Sequence, residues 1–332
     1  MSIALGHGVS DAFGAWRDRE HAQQMQRLAG TEDAERKTPP AYTVDALLQN
    51  PRFLEVLQAG ARTLISINDL FPRVARLVAA HQKWMLTQAA YALHLERDRD
   101  NADSGITAAR LLKIMRETGA ASRNTATAFL AELIAYKLLR PANGGRTKRT
   151  RPLEPTEISE NAMRLWFRTQ MSTLDLLDGG SRVRRVEADP TIFERAQPRV
   201  AKRLLSDARW TQPSEGVAIF VWSESGGVIL DDLMARAPSL LAVNGKVWID
   251  VSLARLAERY LISNTHIRRL FARAEAAGLI GKGDDGARGR YWLSSRLVEE
   301  YAAWEAVKFE ALADAFDQSV VAVPDPTAPR IS

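Results

Sequence analysis

Two stretches of the chain carry residues whose types and order suit the reading of a polyanion. The first opens with Ser122, Arg123, Asn124 and Thr125, followed by Thr127, and is trailed by Arg146, Lys148, Arg149 and Arg151. Those last four cations fall within six residues with no acid among them. The second opens with Asn264, Thr265 and His266, continues with Arg268 and Arg269, and is trailed by Lys282, Arg288 and Arg290. Asn can bond bidentately to adenine, Thr offers thymine a hydroxyl and a methyl, and Arg both reads guanine and clamps phosphate. Four like charges on a short hairpin repel one another unless a polyanion lies against them, along its backbone or in a narrow minor groove. Asp284 and Asp285 dilute the second basic set, so the two stretches are expected to bind unequally. His266 is the weakest of these candidates, because a packed or solvated His is the more ordinary outcome.

The elements that must hold these residues repeat. Shifted by 141 residues, segment 111–140 falls on 252–281: Leu112 meets Leu253, Ser122 meets Ser263, Ala131 meets Ala272 and Leu138 meets Leu279. Apolar character matches even where identity fails, as at Ala126 and Ile267, Phe129 and Leu270, Leu130 and Phe271. Each copy predicts a helix, a tight turn and a second helix that starts at Ser, a good N-cap because its hydroxyl accepts from an orphan N–H of the first turn. A Gly-containing hairpin follows, at Gly144-Gly145 and at Asp284-Asp285-Gly286. The order is helix-turn-helix plus β-wing. The helix-turn-helix parts are placed at 106–138 and 250–280, the wings at 139–155 and 281–294. On the second helix of each pair, Ala126, Phe129, Leu130 and Leu133, or Ile267, Leu270, Phe271 and Ala274, form the inward face at helical spacing.

The stretch Ser122–Thr156 resembles the MarR-type winged helix in its initial Ser, Leu-rich helix, basic wing and the Leu153-x-x-Thr156 strand end. The second copy resembles it through Ser263, Ala277-Gly278-Leu279-Ile280 and the span Gly283–Tyr291. The resemblance covers about a hundred residues. It implies a DNA-binding regulator dimerised through helices outside the winged helix, often responsive to a small aromatic effector. Two departures stand out: MarR-type chains usually hold one module, and the acidic-Arg pair of the wing is here Gly145-Arg146. The expectation is a mainly α fold with small β-wings, in which tandem modules bracketed by packing helices form an internal pseudo-dimer, as a monomer or a homodimer.

Around the modules, 1–43 reads as a flexible segment, 44–178 as the first half, 179–213 as linker and basic helix, 214–318 as the second half and 319–332 as a tail. Asp178-Gly179-Gly180-Ser181 is the candidate hinge. Arg182, Arg184 and Arg185 beyond it suit either a DNA-contacting or a solvated linker. Helical spacing marks Thr43–Ala59 and Phe71–Glu96 as continuous helices, and Val217–Trp222 reads as a short β-like run. Glu157, Glu160, Asp175 and Asp178 read as a solvated face, and Trp166 and Trp304 as interhelical packing.

Composition limits the remaining classes. The chain has 332 residues, a net charge of +5, 46% apolar residues and no Cys, so thiolate metal sites and Cys redox switches are impossible. Walker-type phosphate-cradling, zinc-protease and serine-hydrolase motifs are missing from the sequence, and the five His are scattered. No enzyme activity, cofactor or metal is expected. The lack of Cys, of a long apolar span and of a signal-like N-terminus leads to the expectation of a cytoplasmic, nucleoid-associated protein. The function this supports is sequence-specific binding of double-stranded DNA as a transcriptional regulator. Two alternatives use the same modules: a plasmid-type replication initiator, and a chromosome-organisation adaptor that binds proteins.

Overall fold

Thr43 starts the described fold. Its hydroxyl accepts from the Ala46 N–H (3.2 Å) and caps α1 (Val44–Gln49). The helix expected over Thr43–Ala59 stops at Asn50, which is extended because Pro51 follows. Chain direction resets there, and α2 (Phe53–Leu70) runs on past the expected end. The computed structural model describes residues 42–70, 75, 77–98, 100–101, 104–142, 152–283 and 289–321. Arg146, Lys148, Arg149, Arg151 and Arg288, most of the N-terminal segment, the tip of each wing and most of the tail lie outside the described residues.

The second long helix also divides. Ala80 is extended, and α3 (His81–Leu95) starts afresh at His81. Tertiary contact outweighs local propensity here: His81 is buried, and its Nε2–H donates to the Trp210 carbonyl (3.1 Å). The rings of Trp210, Trp222 and Trp304 meet it edge-on at 5.2–5.4 Å, and Trp84 lies parallel to it at 6.3 Å. Burial pushes the His81 imidazole down to about 4, against a smaller upward pull from the Trp210 carbonyl. Its unfolded counterpart takes up a proton near 6.5, so stability present above that pH is lost as pH falls toward 4. Urea unfolding at pH 7.5 and 4.5 should show His81 removing about 2–3 kcal/mol over that interval. His81→Gln should abolish that share, and an unchanged pH dependence in the variant would contradict a neutral, caged His81. His94, lowered by burial and by Arg97, acts in the same direction.

Next come α4 (Ala108–Thr118), α5 (Arg123–Ala135), the strands β1 (Leu139–Pro141) and β2 (Leu153–Pro155), and α6 (Glu157–Asp178). The segment expected to be a linker is instead part of the core. Gly179, left-handed at φ 71°, ends α6, and α7 (Arg182–Ala188) folds straight back onto it. Arg182 reaches Asp175 Oδ1 (3.2 Å) and Asp178 Oδ2 (2.8 Å), and Tyr42 donates its hydroxyl to Asp178. Asp175 and Asp178 therefore do not form a solvated face, and Arg182, only 7% exposed, is no free linker cation. α8 (Thr191–Ser206) buries Phe193, Ala196, Val200 and Leu204 between α3 and the closing helix α14 (Ser295–Val321).

The run expected to be β-like is helical. After α9 (Ala208–Thr211), α10 (Glu215–Val221) buries Val217, Phe220 and Val221 at steps of three and four. Glu300 of α14 anchors its start by accepting from Ser214 Oγ (2.7 Å) and Gly216 N (2.8 Å). A short apolar run does not by itself distinguish helix from strand. The remainder is α11 (Gly226–Arg236), β3 (Lys246–Asp250), α12 (Leu253–Arg259), α13 (Asn264–Ala276), β4 (Ile280–Lys282) and β5 (Arg290–Ser294). Among the described residues the fold is mainly helical with two small antiparallel sheets. α2 packs on α6 and α11, and α14 packs on α6, α8 and α10, so both halves share one continuous core.

Candidate nucleic-acid interface

The second helix of each repeat and the start of the hairpin after it have the same local geometry. α5 and α13 both have 13 residues, and each begins one position after a Ser whose Oγ accepts a backbone N–H at 3.1 Å. A cap of this kind is worth about 1 kcal/mol. The donors, Thr125 and His266, are themselves 141 residues apart. Both helices end on a left-handed residue at the same offset, Lys137 (φ 57°) and Gly278 (φ 68°). The next N–H reaches back five residues in each copy, Leu138 to the Leu133 carbonyl (2.8 Å) and Leu279 to the Ala274 carbonyl (2.9 Å). β1 and β4 start one residue later at matching positions.

The hairpins differ in extent. β1 pairs antiparallel with β2, Leu139 opposite Pro155, and Ile106 adds a single bridge to Leu153. In the second copy that bridge grows into a full strand, giving the order β3-β5-β4 with Ile249 opposite Tyr291 and Ile280 opposite Leu293. β3 lies outside the elements expected from the sequence, although Lys246-Val247-Trp248-Ile249-Asp250 alternates as a half-buried strand should.

The inward faces are as expected: Ala126, Phe129, Leu130 and Leu133, and Ile267, Leu270, Phe271 and Ala274, are all buried. Among the candidate readers, Arg123, Asn124 and Thr127 are exposed on α5, and Asn264, Thr265, Arg268 and Arg269 on α13. Among the described residues, Arg123, Arg268 and Arg269 are in no ion pair, which leaves three guanidinium groups available to phosphate or base edges. Ser122 and Ser263 are committed to capping, and Thr125 is half-buried with its hydroxyl 2.9 Å from Ser122 Oγ. Thr127 Oγ1 donates to the Arg123 carbonyl (2.9 Å), leaving its methyl and lone pairs for a ligand. The Nε2 of His266 is buried, so that edge of the ring faces the protein and not a reading surface.

Of the wing cations, Lys282 and Arg290 are described. Lys282 is exposed but lies 3.6 Å from Glu275 of α13, which neutralises it further than Asp284 and Asp285 alone suggested. The Arg290 guanidinium stacks over Trp248 (5.0 Å), and Lys246 sits over Trp292 (4.8 Å). Gly281 lets Trp292 cross the sheet, for a Cβ there would come within 2.1 Å of the ring. The outer face of this sheet is thus a ladder of cations and indoles, and its Lys246 and Trp248 belong with the candidate interface although sequence spacing did not single them out.

An apolar cavity of about 130 Å³ lies where α3 and α6 meet the first helix-turn-helix, walled by Trp84, Tyr91, Ile106, Leu133, Met163 and Trp166. Among the described residues no group of acids and His could hold a metal ion, and no helix is long and apolar enough to cross a membrane. No protein-family model, curated protein or solved structure matches this chain.

Proposed function

We propose that the two repeats are winged-helix modules, and that the protein binds double-stranded DNA in a sequence-specific manner as a transcriptional regulator. The observation that carries this reading is the pairing of α5 with α13. Both helices are capped by Ser, buried by the same four positions, followed by a hairpin, and lined outside by polar and cationic side chains. The N-terminal half of such a helix enters the major groove, and the hairpin follows the backbone. In this reading α5 presents Arg123, Asn124 and Thr127, while α13 presents Asn264, Thr265 and the two cations Arg268 and Arg269.

The shared helical core makes the two modules one body, so a single chain does what two protomers of a dimeric regulator do. A homodimer is then not required for two-module binding. Because the reading faces differ, the preferred site is asymmetric. Anisotropy titration of the intact chain with duplex DNA across a range of salt tests the reading. Affinity should fall steeply as salt rises, by about 0.9 decade per decade of salt for each phosphate contact. Absence of measurable binding to duplex DNA at low salt would refute it.

A further inference from the structure

A second cavity of about 160 Å³ lies where helices of the two halves meet. Its walls are unusual in combining indoles with buried charge. Trp84, Trp166, Trp210 and Trp304 all line it, together with Asp231 and the ion pair Lys308–Glu305 (2.5 Å). The indoles hold one another in place: Trp210 stacks flat on Trp304 at 4.2 Å, and Trp84 tilts against Trp166 at 5.7 Å and Trp210 at 5.3 Å.

The charge on this wall does not cancel. Lys308 is matched by Glu305, both almost wholly buried. The neighbouring Asp232 has Arg236 and Arg259. Asp231 accepts from Tyr301 Oη (2.9 Å) but, among the described residues, is in no ion pair. The wall therefore carries one carboxylate more than it carries cations. Burial and then Glu305 push Asp231 up to about 7, against a downward pull from Lys308, so the carboxyl carries its full charge only above that pH and the site takes a cation best there. A ring-lined space with a surplus carboxylate favours one kind of guest: indole faces attract cations, most strongly where water is excluded, and the carboxylate supplies the complementary charge.

We propose that this cavity binds a small organic monocation of the quaternary or tertiary ammonium type, held by the Trp rings and by Asp231. The volume sets the size, since a cavity of about 150 Å³ accepts a benzene-sized guest. The site is separate from the apolar cavity beside the first module, although Trp84 and Trp166 wall both. A guest here touches α3 and α6 of the first half and α11 and α14 of the second. Any effect on DNA affinity rests on the DNA-binding reading, whereas the binding itself does not.

The test is tryptophan fluorescence of the intact chain without DNA, titrated with choline and with its uncharged carbon isostere 3,3-dimethylbutan-1-ol. Choline should change the emission with saturation, and the isostere should bind at least about tenfold more weakly. Asp231→Asn should lower choline affinity at least about tenfold and leave the isostere unaffected, which also shows that the cavity is intact. No saturable response to choline up to about 10 mM, or equal affinity for choline and the isostere, would overturn the proposal. Because DNA is absent, failure here leaves the DNA reading standing, and loss of DNA binding elsewhere leaves this site standing.

Discussion

Replacing Arg146, Lys148, Arg149 and Arg151 together with Ala is expected to weaken binding to duplex DNA by about three orders of magnitude at physiological salt. Each phosphate contact releases counterions equivalent to about 0.9 in the slope of log affinity against log salt, which at that salt is worth about 0.7 decade. Four contacts therefore account for about three decades of affinity and about 3–4 in slope. If the four cations pair with phosphates, as proposed, the loss should be nearly the same for every DNA sequence, because phosphate contacts carry no base information. The corresponding change in the second wing should be smaller, since Lys282 already faces Glu275. Anisotropy titrations at several salt concentrations check this directly. A quadruple variant with the wild-type slope would remove the first wing from the interface.

Arg182→Ala should cost about 3–5 kcal/mol of stability, as much as truncating a buried core aromatic. The guanidinium holds Asp175 and Asp178 at the α6–α7 turn and lies over the Tyr42 ring at 5.1 Å. Burial pushes both carboxyls up. At Asp178 the bonds from Arg182 and Tyr42 more than offset it and hold the group below the usual carboxylate value, whereas at Asp175 burial prevails. Removing the cation strands both acids where water reaches them poorly, and breaking one side of a buried pair costs far more than the pair itself contributes. Urea unfolding measures the loss. The triple change Arg182→Met, Asp175→Asn, Asp178→Asn should recover most of it, because no charge is left unpaired. A single variant within about 1 kcal/mol of wild type would mean that the cluster is effectively solvated.

What the chain reveals before folding is what is local. Ser122 and Ser263, the inward apolar quartets and the Leu138 and Leu279 exits all lie within one helical hairpin, so spacing alone exposes them. The sequence is least legible where distant residues decide the outcome. Pro51 and the extended Ala80 break helices that periodicity would join, Ala80 because His81 must reach Trp210, 129 residues away. Asp175 and Asp178 look like a polar helix face until Arg182 turns back onto them across Gly179. The five indoles around His81 and the seam cavity come from positions 84, 166, 210, 222 and 304, which no spacing rule connects. The same holds for the surplus charge at Asp231, since Glu305 and Lys308 lie more than seventy residues further along the chain. Local pattern thus reports the candidate reading helices well and reports poorly the core that ties them together.

If two unlike helices on one body read DNA together, as proposed, site selection by the intact chain from a random duplex library should return an asymmetric two-part site. Arg268→Ala/Arg269→Ala, selected in parallel, should keep one part and lose its preference in the other. Recovery of a strict palindrome, or of identical sites from both proteins, would contradict that proposal.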